Sequence, residues 1–218
     1  MLFELERVSL RRGGERVLSG LTARIPEGVS AVVGPSGSGK STLLRLLDRL
    51  SDPDEGIVRF RGRDTREIDP LVLRREVALV PQLPALLDGT VADNLGFAAG
   101  LTGNECDAER LLGLAGLAPS FADREVERLS VGEQQRAMIA RALAGGPEVL
   151  LLDEPTSALD EAARDSIERT VADLRRSVGA SIVIVTHDPA QANRLADWIV
   201  RIEAGRLVSE GAVAEVPA

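Results

Sequence analysis

The run Gly34-Pro35-Ser36-Gly37-Ser38-Gly39-Lys40-Ser41 lies between an apolar stretch, Ser30 to Val33, and a helical pattern from Ser41 to Leu50. This order leaves the chain few choices. The apolar stretch suits a buried strand, and Leu43, Leu46, Leu47 and Leu50 recur on one helix face, so the glycine-rich run is the turn between them. Its glycines let backbone N–H groups point inward at the positive end of the new helix, a cradle for phosphate oxygens. Lys40 adds a point charge for β- and γ-phosphates, Ser41 offers a hydroxyl to Mg²⁺, and Thr42 can reach the α-phosphate. A Gly/Ser-rich stretch is often a plain loop, but a full match between strand and helix leaves that alternative little room.

A second phosphate-site pattern sits far along the chain. Val149 to Leu152 is a buried-strand run that delivers Asp153 and Glu154. Asp153 can hold Mg²⁺ through its water shell, and Glu154 can take a proton from an attacking water. Two acids at a strand end are otherwise a solvated turn; the companion phosphate loop argues against that. His187, the only histidine, follows Ile182 to Thr186, where it can hydrogen-bond a γ-phosphate and orient the water. A lone histidine is usually a locally satisfied surface or core residue, and its place after a strand reverses that preference. Gln82, after Val77 to Val80, would sense Mg²⁺ and water. Gly34, Gln82, Asp153 and His187 thus all follow apolar strands, and ligands of parallel α/β sheets lie beyond the strands' carboxyl ends.

The rest of the chain frames these groups. Leu2 to Leu10 and Leu21 to Ile25 read as antiparallel strands around a Gly13-Gly14 turn, and Ile57 to Phe60 as another short strand. From Thr90 to about Gly145 the periodicity is helical, broken at Gly113, Gly116 and Pro119. Glu161 to Arg176 is an amphipathic helix, and Trp198 to Ile202 with Arg206 to Ser209 reads as a hairpin, Trp198 packing in the core. The 218 residues carry a net charge of −8, which does not favour a nucleic-acid partner. A single cysteine, Cys106, excludes an internal disulfide and reads as an ordinary helix-surface or core residue. No signal peptide or membrane-spanning run is expected.

Leu129-Ser130-Val131-Gly132-Glu133 opens a helix through Arg136 and Ala140 to Gly145. Ser130 with Glu133 three residues on is a capping-box pattern. The helix start can equally present free N–H groups and the Ser130 hydroxyl to a phosphate.

Taken in order, the phosphate loop, Gln82, Leu129 to Arg136, Asp153-Glu154, Ser157-Ala158-Leu159-Asp160 and His187 resemble the ATPase subunits of ATP-binding cassette (ABC) transporters over essentially the whole chain. The resemblance implies an α/β fold: a P-loop NTPase (RecA-like) core, an N-terminal antiparallel β subdomain and a helical subdomain at about 90–145, within one nucleotide-binding domain over 1–218. It implies ATP and Mg²⁺ as ligands, with Ser41, Gln82 and Asp153 around the metal and Glu154, His187 and Gln82 in catalysis. Two copies would pair head to tail, so that Ser130, Val131, Gly132 and Glu133 of one complete the site on Lys40, Ser41, Asp153 and Glu154 of the other, with Asp160 between the two sites. A separate transmembrane permease would be docked by the helical insertion, placing the chain in the cytoplasm on the inner face of the membrane.

The sequence departs from the family in two places. The family usually carries Gly where Val131 stands and Gln where Glu133 stands. An ionised Glu133 would repel a triphosphate, so it is expected to cap its helix instead. The family also stacks an aromatic ring on adenine from the stretch near Leu10 to Gly13. Here Arg11 and Arg12 occupy it and the chain has no Tyr. The Arg12 guanidinium can stack on a base, or the turn is simply solvated. The segment Gln82 to Asn94 is similar to a subgroup that includes phosphate importers, a bacterial iron exporter and a plant aluminium-tolerance transporter, which points to a small inorganic ion as cargo. Rival roles are mechanical work on envelope proteins, a soluble ATPase of DNA repair or translation, and a small-molecule kinase. The last gives no account of Ser130, Gly132 or His187.

Overall fold

The structure, a computed structural model, describes residues 1–157, 159–177 and 179–216. Ala158, within the Ser157 to Asp160 motif, lies outside the described residues.

Strands of two kinds make two sheets. β1 (Phe3–Arg12) and β2 (Glu15–Ile25) mix buried and exposed positions and pair antiparallel across the Gly13-Gly14 turn. Both turn glycines have positive φ, as a tight hairpin with right-handed strand twist requires. β1 also pairs antiparallel with β4 (Glu55–Phe60), and the two-residue β5 (Arg63–Asp64) completes the order β2-β1-β4-β5. The second sheet has β3 (Val29–Val33), β7 (Val149–Asp153) and β8 (Ser181–Thr186), which are buried at every position, as in a sheet covered on both faces. With β6 (Val77–Val80), β9 (Trp198–Glu203) and β10 (Arg206–Ala212) the order is β10-β9-β3-β8-β7-β6. All its pairings are parallel except the β9–β10 hairpin.

Alternate residues of this sheet feed two cores. Val32, Leu151, Val183 and Ile202 pack with the first sheet and with α1 (Lys40–Leu47). Ala31, Leu150, Leu152 and Ile184 pack on the other face with helices α3 (Val91–Thr102), α4 (Ala108–Leu114), α5 (Val131–Ala144) and α6 (Glu161–Ser177). α3, α4 and α5 fall in the chain between β6 and β7, which are neighbours in the sheet. Among the described residues no helix is long and apolar enough to cross a membrane.

Several local expectations need correction. α1 ends at Leu47, and Leu50 is exposed rather than on its apolar face, because Arg49 turns the chain with a φ of 58°. Gly113 lies inside α4; the break is made by Gly103, whose left-handed backbone ends α3. Between α4 and α5 the chain runs through two short 3₁₀ turns rather than continuous helix. Cys106 sits on the exposed connection between α3 and α4, whereas Trp198, partly buried, packs against the core as expected. Two helices lacked an apolar period long enough to read: α2 (Pro70–Glu76) and α7 (Pro189–Leu195). Each starts with Asp-Pro: Asp69 and Asp188 accept first-turn N–H groups while the proline fills a position needing no donor.

Candidate nucleotide site

The phosphate loop leaves β3 at Gly34, whose φ is 150°. A Cβ there would lie 2.0 Å from the Ile202 carbonyl oxygen of β9, so only glycine lets the loop pass that strand. Gly39, also left-handed, caps α1 without a side chain, so no side chain claims the first-turn N–H groups. A Cβ on Gly39 would meet Leu18 of β2 at 2.8 Å, which wedges the loop against the first sheet. The Ser38 hydroxyl is buried with no partner among the described residues, an orphan donor inside the loop. Lys40 is 4% exposed, and its ammonium donates to the carbonyls of Gly34 (2.9 Å) and Pro35 (3.0 Å), arching over the cradle. Thr42 is buried in the first turn of α1.

The adjacent strands bring the other groups to the same edge. β3, β8, β7 and β6 lie side by side in parallel, so residues following them are neighbours across the carboxyl ends. The Ser41 hydroxyl donates to Asp153 Oδ1 at 2.8 Å. Burial pushes the Asp153 carboxyl above its usual range, opposed by the Ser41 hydrogen bond and seconded by the Glu154 charge. Glu154 follows with a left-handed φ of 44°, a strained conformation for a non-glycine residue. Its N–H donates to the Val185 carbonyl of β8. Its side chain lies 3.6 Å from the Lys40 ammonium through Oε1 and 3.1 Å from His187 Nδ1 through Oε2. Lys40, Glu154 and His187 therefore form one chain of polar contacts. Gln82 is exposed, and its amide donates to the Ser157 hydroxyl at 3.1 Å, a partner that nothing local in the sequence announces.

The Ser130 segment is built differently. Ser130 caps α5, and Glu133 folds back so that Oε2 accepts both the Ser130 N–H and the Ser130 hydroxyl at 2.8 Å. The backbone hydrogen bond from Ser130 holds the Glu133 carboxyl below its ordinary value, and the Ser130 hydroxyl and Arg124 add to this. Val131 is exposed, while Gly132 is buried: a Cβ there would lie 3.1 Å from that of Ala163 on α6. Asp160 caps α6 by accepting the Ala163 N–H at 2.8 Å. Among the described residues no hydrogen bond or ion pair joins Ser130 to Glu133 with the phosphate loop. α5 does reach the Gln82 segment, since Gln135 donates to the Pro81 carbonyl. Arg12 ends β1 at the exposed hairpin tip opposite Glu15. β2 carries the same hairpin past the phosphate loop, where the Val17 carbonyl is 3.0 Å from the Cβ position of Gly39.

The residues present fit a triphosphate with a hard cation: an orphaned hydroxyl, unclaimed helix N–H groups and a buried ammonium at the loop, with a hydroxyl–carboxylate pair beside them. The family model described as ABC transporter matches residues 18–157. Protein STAR1 of Oryza sativa subsp. japonica is 46% identical over 199 residues, covering 89% of this chain and 58% of that protein. ABC transporter I family member 17 of Arabidopsis thaliana is also 46% identical over 199 residues, with 89% of this chain and 76% of the relative covered. The chain therefore spans just under three fifths of the rice protein. Among solved structures, the dimeric post-hydrolysis state of the ATP-binding cassette MJ0796 bound to ADP and Pi matches with a TM-score of 0.83 and 30% identity, covering 97% of this chain and 98% of that one. With the family model covering residues 18–157 and a relative 46% identical over 89% of the chain, this P-loop protein belongs to the ABC transporter family as an ATP-binding cassette.

Proposed function

We propose that this chain is the ATP-hydrolysing subunit of a transporter and works as a head-to-tail pair on a separate membrane permease. The observation that carries the proposal is the contact chain from Lys40 through Glu154 to His187, beside the Ser41–Asp153 pair. A bound Mg²⁺ would be held by Ser41 with Asp153 behind it, Gln82 nearby, and would neutralise charge on the β- and γ-phosphates. Lys40 exchanges Glu154 and the loop carbonyls for phosphate oxygens, which frees the Glu154 carboxylate. Glu154 accepts a proton as water oxygen bonds to the γ-phosphorus, and the bond to the β-phosphate oxygen breaks with its electron pair leaving on ADP. His187, held through Nδ1 by Glu154, turns its other nitrogen toward the γ-phosphate. Ser130 to Glu133 of the second copy close the site with the Ser130 hydroxyl and the helix N–H groups, Asp160 lying at the seam. Arg12 stacks on the base in place of an aromatic ring.

The same reading puts the chain on the cytoplasmic face of the membrane and makes the cargo a small solute such as phosphate or a metal ion, selected by the permease. The groove between α2, β6 and α3, lined by Leu71, Leu87, Phe97 and Leu101, is the surface for the permease's cytoplasmic loop. Steady-state hydrolysis tests the core of the proposal: turnover should rise more than linearly with protein concentration and disappear in Glu154→Gln, which still binds ATP. A monomer hydrolysing at full rate without the Glu154 carboxylate would end it.

A further inference from the structure

Gln191 is 1% exposed on α7, and its amide bridges two segments remote in the chain. Nε2 donates to the Thr156 hydroxyl and to Glu168 Oε1, each at 3.0 Å, across sequence separations of 35 and 23 residues. The amide's orientation is forced, since an ionised carboxylate only accepts. Thr156 is buried just past Glu154 and Pro155. Glu168 lies on α6, where Arg194 of α7 donates to both its oxygens at 2.8 and 3.1 Å. One neutral side chain therefore joins the turn after Glu154, the helix that Asp160 caps and the helix that opens after His187. An apolar residue would fill the same space, and a buried polar group costs free energy unless it is satisfied. Here both donors are used, which fixes the three segments in one arrangement.

That arrangement bears on the two groups at the sheet edge. Glu154 holds a left-handed φ of 44°, which persists only where the surroundings over-determine it. Its own N–H is bonded to Val185 on one side, and on the other Thr156 is anchored through Gln191. The His187 turn is tied to the same residue: Asp188 Oδ1 accepts the Gln191 N–H at 3.3 Å, and the Asp188 N–H donates to the Thr186 hydroxyl at 3.0 Å. The 3.1 Å contact between Glu154 Oε2 and His187 Nδ1 thus spans two turns that Gln191 holds in register.

We propose that Gln191 is a positioning residue: its amide, held between Thr156 and Glu168, sets the turn carrying Glu154 against the turn carrying His187 for the hydrolytic step. The inference rests on the roles of Glu154 and His187 proposed above. Gln191 touches no reacting atom and acts through Thr156. The consequence is specific: loss of the bridge slows hydrolysis and leaves the hold on nucleotide, which belongs to the phosphate loop, unchanged.

The test uses the full chain with ATP and Mg²⁺, well below the melting temperature of each variant. Both kcat and KM are read, beside the affinity for a fluorescent ATP analogue. Gln191→Met keeps the volume, loses both donors and leaves Glu168 its Arg194 partner. Its kcat should fall about tenfold, with KM and analogue affinity within about twofold of the parent. Thr156→Val should fall alike and is the second variant if the first does not fold; Thr156→Ser, which restores the acceptor, should recover to within about threefold of the parent. The double variant should lose no more than either single one, because both remove the same bond. Unaltered kcat in both single variants, a serine variant as slow as the valine variant, or a double-variant loss equal to the product of the single losses overturns the inference. Glu154→Gln, measured alongside, separates the two levels. If it keeps its turnover, the proposed site fails; if it loses turnover while Gln191→Met and Thr156→Val run at the parent's rate, only the role of Gln191 fails.

Discussion

Glu133 stands where a charge-free residue is usual in the family, and its geometry permits a quantitative prediction. One carboxylate oxygen accepts two donors of Ser130 at 2.8 Å, and the other faces Arg124 at 3.7 Å. That ion pair is largely exposed and contributes little. The capping contacts matter more: removing them in Glu133→Ala should cost about 1 kcal/mol. For a chain of 218 residues this lowers the melting temperature by about 2–4 °C. Glu133→Gln keeps an acceptor oxygen and loses only the charge assistance, so roughly half that loss is expected. The pH dependence has a fixed sign. The folded carboxyl lies below its ordinary value of 4.5, so its contribution is complete above that pH and is lost as pH falls through the folded value. Parent and glutamine variant should therefore differ by a constant amount at neutral pH and converge in acid. Since the carboxylate faces its own helix start, ATP turnover of Glu133→Gln should stay within about twofold of the parent. A severalfold rise in turnover with no change in melting temperature would refute the capping assignment and put Glu133 against phosphate.

Other substitutions probe different parts of the structure. Asp48, 2% exposed at the end of α1, has its carboxyl pushed up to about 6 by burial. A raised value means that folding favours the protonated form, so the penalty is absent below the ordinary 3.8 and complete above about 6. Asp48→Asn, which still accepts the Leu50 N–H, should stabilise the protein by up to about 3 kcal/mol at pH 8 and confer no advantage below about pH 4, as read from denaturant titrations. Gly34→Ala drives a methyl group into the Ile202 carbonyl and should cost more than about 4 kcal/mol, visible as a large fall in melting temperature. Arg12→Ala should weaken ATP and GTP binding about equally, by roughly threefold to tenfold, because a stacked guanidinium reads no base edge; an effect on ATP alone would argue for a base-specific contact instead.

What could be read in advance divides along physical lines. The strands β3, β7 and β8 and the loop at Gly34 were legible because their signals are local: a continuous apolar run, then a residue whose backbone or charge has one evident use. The same holds for the Ser130–Glu133 cap, which needs only a three-residue spacing. Helices α2 and α7 were missed because seven residues do not show a period, although Asp69-Pro70 and Asp188-Pro189 announced their starts. That the site's groups share one edge was legible from the strands they follow; their direct partners were not. Pairing of Lys40 with Glu154, of Gln82 with Ser157 and of Ser41 with Asp153 depends on which strands lie side by side, and no local pattern encodes that order. The left-handed backbone of Glu154 is likewise imposed from outside, by its N–H bond to β8.

The position of β3 has a consequence for how the protein is made. Its two neighbours in the sheet are β8 and β9, encoded more than 140 residues downstream. A ribosome adding about 5–20 residues per second therefore exposes the apolar Val29–Val33 segment for roughly 7–30 seconds before either flank exists. During that interval the nascent chain is a candidate for chaperone binding, and a release of the chain before Trp198 would leave the phosphate-loop strand flanked by β8 alone, without the β9 carbonyl that Gly34 passes.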